Sequence, residues 1–231
     1  MAVFSVVVAT ASPPGQGSES GGAFLKIDGR EAVLRSVELF LNRDNVKQIQ
    51  LIVQLSELEE AKNKYGAHLG FSGVKLVGGG PRWIEQIAAA AKNIDPAATH
   101  VVLHDAARPI VPYSDIDALL EQAEKRAAVA LTAPVRTTLV EIDEGGSPMA
   151  YHSPKSFLQL LTPQAFSKAK FQEMAASGRE LHPSVMMLLP GSPLNIRIGG
   201  QGDGHIAKAM LGMLPKQKSK APSGPFEEAQ W

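Results

Sequence analysis

The 231-residue chain contains no cysteine, which excludes disulfides and thiolate-bound metal. It lacks an excess of either charge: 23 Lys and Arg stand against 23 Asp and Glu, so no overall field draws in nucleic acid or an anionic membrane. No apolar run approaches the length of a bilayer span, and the N-terminus lacks the basic and then apolar segments of a secretory signal. No fixed-period repeat runs through the chain. These absences leave a cytoplasmic protein that handles small molecules as the expectation, with neither nucleic acid nor membrane as partner. At this length, with 44% hydrophobic residues, a single α/β domain with a substantial core is within reach.

The most informative stretch runs from Val101 to Pro112. Val101-Val102-Leu103 is a short apolar run that breaks into His104-Asp105, two alanines, Arg108 and Pro109. It reads as a buried central strand ending at an open sheet edge, which is where open α/β sheets bind ligands. Two readings of Asp105 stand side by side. It is placed to hold a divalent cation, with Arg108 pairing with phosphate or with Asp105 itself, or it caps the helix that begins near Ser114.

On either side, strand and helix signals alternate. Val3 to Ala9, Val46 to Val53, Val74 to Val77, Ala127 to Pro134 and Met186 to Leu189 read as strands. Glu31 to Leu41, Glu57 to Tyr65, Tyr113 to Arg126 and Gln201 to Met213 read as helices. Thr10 to Gly22 is a glycine-rich loop whose backbone N–H groups suit phosphate, although Pro13 and Pro14 supply none. Gly78-Gly79-Gly80-Pro81-Arg82 is a second turn of this kind, opening a helix. Val135 to Ile142 and Ser147 to His152, joined through Gly145-Gly146, read as a long hairpin of about residues 135–155 that projects from the body. Thr162 and Pro163 read as the cap and first position of a helix, and residues 215–231 as a disordered tail beyond a domain of residues 1–214. The whole is a three-layer α/β fold with a mostly parallel, Rossmann-like sheet and a projecting β-arm.

His104-Asp105-Ala106-Ala107-Arg108-Pro109 resembles the metal-binding signature of the 2-C-methyl-D-erythritol 4-phosphate cytidylyltransferases, which make a CDP-alcohol from CTP. Further likenesses follow in the family's order over residues 3 to 213: Phe24-Leu25 and Gly29 after the loop, Gly78-Gly79 with Arg82, Leu161-Thr162-Pro163-Gln164-Ala165-Phe166, and Gly191-Ser192-Pro193-Leu194-Asn195-Ile196-Arg197-Ile198. The resemblance implies a nucleotidyltransferase fold, a homodimer clasped through the arm, and Mg²⁺ or another divalent cation at Asp105. Asp105, Arg108 and Arg197 are the catalytic candidates it implies. Ala9, Thr10, Gly17, Gly78, Gly79, Arg82, Glu85 and Ala106 would bind the nucleotide, with Thr138 and Lys155 on the acceptor, a sugar-alcohol phosphate, which the resemblance implies the arm reaches in the site of the partner subunit.

The chain also departs from the family's pattern. The loop's arginine and lysine fall on Gly15 and Gly22, and two of its glycines on Ala11 and Pro13. The serine after the second turn falls on Glu85, the aspartate at the arm's root on Thr137, and the arm's arginine on Pro154. Lys26 and Lys155 are the nearby cations able to stand in. The family's Thr-Asp-Asp segment has no aspartate here, leaving Glu180 and His182 as metal candidates. Three functions follow: cytidylyl transfer, transfer with another nucleotide or acceptor, and a catalytically impaired relative that serves as a binding or regulatory protein.

Overall fold

A computed structural model describes residues 2–16 and 20–214. Gly17 and the tail 215–231, for which expectations were stated above, lie outside the described residues.

The chain opens with β1 (Phe4–Ala9), all six residues buried, as a β-branched run flanked by polar turns requires. The short strands β2 (Lys26–Ile27) and β3 (Arg30–Glu31) pair with each other and lead into α1 (Ala32–Glu38). Next come β4 (Val46–Gln54), α2 (Leu58–Phe71), β5 (Val74–Gly79), α3 (Trp83–Ala91) and β6 (His100–Asp105). The second half holds α4 (Tyr113–Ala123), β7 (Ala128–Pro134), the hairpin of β8 (Leu139–Ile142) and β9 (Pro148–His152), and β10 (Leu158–Ser167). It closes with α5 (Lys168–Ser177), β11 (Met187–Pro190) and α6 (Gln201–Leu211).

Seven strands form one sheet in the order β11-β7-β10-β6-β1-β4-β5. Only β10 runs against its neighbours, antiparallel to both β6 and β7. Alternation along β1 builds two cores: Val6 and Val8 point into the layer of α1, α2 and α4, whereas Val7 and Ala9 point into that of Trp83, Ile87, Phe171 and Met174 from α3 and α5. A third, smaller cluster of Ile27, Ala32, Ile110, Ile198 and Ala207 seats α6.

The expected helix at Thr162-Pro163 is instead the middle of β10. Thr162-Pro163 is a cis peptide, and the pairing of β10 with β7 is interrupted between Leu160 and Gln164. A proline is tolerated in a strand at such an irregularity, where its missing N–H removes no ladder bond. The helix begins five residues later, with the Ser167 hydroxyl accepting from Lys170 N–H. Several boundaries also move: α2 runs on to Phe71 and β5 on through Gly78-Gly79, whereas α1 ends at Glu38, α4 at Ala123, and β8 begins only at Leu139.

Residues 135–157, including β8 and β9, stand off the sheet, with Ile142, Met149 and Tyr151 exposed by 61%, 67% and 82%. This is the projecting arm. Among the described residues no helix is long and apolar enough to cross a membrane.

Candidate active site

β6 ends on Asp105, whose side chain is fully buried. Oδ1 accepts from Ala107 N–H at 2.9 Å, so the carboxylate turns on its own backbone. It does not cap α4, whose preceding residue is Pro112. Oδ2 accepts from Arg197 Nε at 2.8 Å, and Arg108 Nε lies 3.8 Å from the same oxygen. Burial pushes this carboxyl above its ordinary pKa, while the two guanidiniums and the Ala107 N–H pull the other way.

Both arginines are tied down. Arg108 donates to the Asn195 carbonyl at 2.9 Å and to Gln16 Oε1 at 3.1 Å, and Arg197 donates to Ser12 Oγ at 2.7 Å. Thr162 Oγ1 accepts from Asp105 N–H at 3.0 Å, and the Thr162 carbonyl accepts from Asn195 Nδ2 at 2.8 Å. The strand carrying Pro163 therefore buttresses the carboxylate from the sheet side.

His104, fully buried, closes the turn from beneath. Its Nε2–H donates to the Arg108 carbonyl at 3.0 Å, which fixes the tautomer and leaves Nδ1 buried without a partner. Burial holds its pKa down to about 3, so the ring is neutral and acts as a bracket, not as an acid or base near neutrality.

The two glycine turns are joined by a residue that sequence reading missed. Gln86 Oε1 accepts from Thr10 N–H at 2.9 Å and Ala11 N–H at 3.0 Å, and its Nε2 donates to Thr10 Oγ1 at 3.3 Å. Ala9, Thr10 and Ala106 are buried, with Ala106 N–H donating to the Ala9 carbonyl. Gly78, Gly79 and Glu85 line a separate depression near Gln54 and Lys92. There Arg82 donates to Glu85 Oε1 through Nε and Nη2, and Arg82 N–H donates to Oε2. Glu85 thus caps α3 and neutralises Arg82 instead of presenting a free acceptor. A Cβ at Gly79 would press on the Gln86 backbone at 3.2 Å, so glycine is what lets α3 approach.

Gly22 explains one departure from the family's pattern. A Cβ there would lie 1.7 Å from the Ile198 carbonyl oxygen, so this backbone excludes a lysine. Lys26 lines a different depression beside α6, with Asp28 and His205, and does not enter the site. Glu180 meets the Trp83 indole and His182 Nδ1 meets Ser184. Among the described residues no group of three or more His, Cys, Asp or Glu forms a metal cage.

Beside Asp105 opens a cleft of about 500 Å³ lined by Arg108, Arg136, Gln159, Ser192, Asn195 and Arg197, among others. Arg136 went unnoticed in the sequence because its neighbours Thr137 and Thr138 carried the likeness. Thr138 and Lys155 are exposed on the arm and line no part of this cleft.

A mostly parallel sheet with helices on both faces, and with a carboxylate and arginines gathered at its carboxyl edge, is an open α/β fold with its polar cluster where such sheets bind ligands, and likeness to solved structures makes it the α/β nucleotidyltransferase fold. Solved structures agree on the fold. A 4-diphosphocytidyl-2C-methyl-D-erythritol synthase from Anaerococcus prevotii superposes with a TM-score of 0.73 at 19% identity, covering 91% of this chain and 99% of that one. A 2-C-methyl-D-erythritol 4-phosphate cytidylyltransferase from Thermus thermophilus does so with a TM-score of 0.71 at 23% identity, covering 92% and 100%. The family model for 2-C-methyl-D-erythritol 4-phosphate cytidylyltransferase matches residues 3–212, and the chain belongs to that family. Among its relatives, the cytidylyltransferase of Rhodopirellula baltica is 30% identical, over 89% of this chain and 93% of that one. That of Bacillus velezensis is 27% identical, over 89% and 95%.

Proposed function

We propose that the chain carries out the reaction its family is named for. A phosphate oxygen of 2-C-methyl-D-erythritol 4-phosphate attacks the α-phosphorus of CTP, a new P–O bond forms, the bond to the β-phosphate oxygen breaks, and pyrophosphate leaves. The observation that carries this reading is the cluster of Asp105, Arg108 and Arg197 at the end of β6. In-line displacement needs positioning and charge neutralisation more than acid–base groups, and the neutral, buried His104 supplies structure only.

One carboxylate suits Mg²⁺, which commonly takes one or two protein carboxylates and completes its shell with water and substrate phosphate. Asp105 would hold it, once Arg197 gives up Oδ2 to the ion and turns to phosphate. Bound there, the ion would neutralise charge on the triphosphate. Arg197, once released from Asp105, would stabilise charge developing as pyrophosphate departs. Arg108, fixed by Asn195 and Gln16, would keep the turn in register.

The acting unit in this reading is a homodimer. Apolar side chains exposed along a two-stranded arm, itself marginal without further cover, favour a second copy as the cover. The neutral, cysteine-free composition suits the cytoplasm.

Calorimetric titration of the full chain with CTP, ATP, GTP and UTP, each with Mg²⁺, tests the reading. Micromolar CTP binding that Asp105→Ala abolishes, followed by pyrophosphate release with methylerythritol phosphate, supports it. Preference for another nucleotide redirects the substrate, and binding to none overturns it.

A further inference from the structure

The loop that follows β1 holds both arginines of the cluster. Its Ser12 Oγ accepts from Arg197 Nη2 at 2.7 Å, and its Gln16 Oε1 accepts from Arg108 Nη2 at 3.1 Å. Pro13 and Pro14, which lie between, supply no N–H, so the loop is anchored at its start. There the Thr10 N–H is shared between the Ile52 carbonyl and Gln86 Oε1, and the Ala11 N–H goes to the same Gln86 oxygen. Gln86 comes from α3, and its side chain is fully buried. Its Nε2 donates to Thr10 Oγ1 at 3.3 Å, and Gly79 backs it so closely that a Cβ there would meet Gln86 Cγ at 3.1 Å. The carboxamide is thus held from both sides, and Ser12 follows Ala11 directly.

Ser12 matters most when Asp105 takes up a cation. Arg197 has two hydrogen bonds among the described residues, to Asp105 Oδ2 and to Ser12 Oγ. With the carboxylate given to the ion, Ser12 is the tether that remains, and the place of its hydroxyl decides where the guanidinium points. We propose that Gln86 is a positioning residue: by fixing the Thr10 and Ala11 N–H groups it sets Ser12, and through Ser12 it aims Arg197 at the phosphate from which pyrophosphate departs. The inference takes its reaction from the transferase reading, whereas the coupling of Gln86 to Arg197 rests on these contacts.

The test places Gln86→Met, which keeps the length of the side chain and removes its amide, and Ser12→Ala in the full chain, singly and together. Each single change is expected to lower kcat for pyrophosphate release by about tenfold to a hundredfold, as a misplacement of about 1 Å does, with KM for CTP unchanged. Both interrupt one line of contacts, so the double variant should be no slower than the slower single one, whereas independent structural damage multiplies the losses. Gln86→Glu, whose carboxylate still accepts both N–H groups, should recover part of the rate. Without turnover, nitrogen-15 resonance of the Arg197 Nε–H, assigned through Arg197→Lys, should show exchange with water about tenfold faster in Gln86→Met and in Ser12→Ala, the equivalent of one weakened hydrogen bond. Losses that multiply, an effect confined to KM for CTP, or Nε–H exchange that Gln86→Met leaves unchanged would overturn the inference. Should Gln86→Met not fold, Gln86→Asn, which draws the oxygen back by one methylene, takes its place in every measurement. A wild type without turnover whose Arg197 Nε–H still responds to Gln86→Met would refute the transferase reading and leave the coupling standing.

Discussion

Arg197 reaches across 92 positions of sequence to set its Nε 2.8 Å from Asp105 Oδ2. The pair joins the end of the central strand to the loop before α6, and neither residue is more than slightly exposed. A buried carboxylate with one close guanidinium is the part of the cluster that depends most on its partner.

Removing that guanidinium should therefore be costly. Arg197→Ala is expected to lower pyrophosphate release by about a hundredfold to a thousandfold. Arg197→Lys, which keeps the charge but cannot serve Asp105 and Ser12 with one rigid fork, should stay within about tenfold of wild type. A steady-state assay at saturating CTP decides between these, and equal rates for Ala and wild type would remove Arg197 from the chemistry.

Thr162 offers a test of the scaffold. Thr162→Val removes the acceptor of the buried Asp105 N–H and should cost about 1–3 kcal/mol. In urea denaturation the midpoint should fall with the slope unchanged.

The same turn makes a prediction about pH. His104 is held neutral in the folded chain, with its pKa lowered to about 3 from an ordinary 6.5. Below the ordinary value the unfolded chain takes up a proton that the folded chain refuses. Stability from this group is therefore complete above pH 6.5 and is lost as pH falls towards about 3, at about 1.4 kcal/mol per pH unit. Unfolding free energies at pH 7, 6 and 5, compared with His104→Gln, isolate the effect. The variant retains an amide N–H for the Arg108 carbonyl and should show a slope shallower by that amount.

For the arm, the expected outcome is a change of assembly. Sedimentation should give a dimer for the wild type and a monomer for a chain carrying Met149→Glu and Tyr151→Glu, with unchanged far-ultraviolet circular dichroism. A monomeric wild type would leave the apolar arm to some other cover.

Much of this architecture is legible in the residues themselves. Val3 to Ala9 and Val101 to Leu103 are too short and too apolar to be anything but buried strands, and His104-Asp105 marks where the central one ends. The failures share a cause. Thr162-Pro163 has the local chemistry of a helix start, and only the pairing of the residues on either side of it with β6 and β7 holds it within a strand. Gln86 reads as one more polar residue on a helix until the fold sets its carboxamide against Thr10 and Ala11. Arg136 is recognisable only once the cleft brings it beside Arg108 and Arg197. Local pattern carries the layers, whereas long-range contacts decide which polar side chains face each other.

The arm leaves and re-enters the sheet at Pro134 and Leu158, which are register partners in the ladder between β7 and β10. Topologically it is a detachable extension: the 23 residues between them can in principle be replaced by a tight turn without disturbing either core. Such an appendage can be lengthened, trimmed or re-dressed with little effect on the folding of the body.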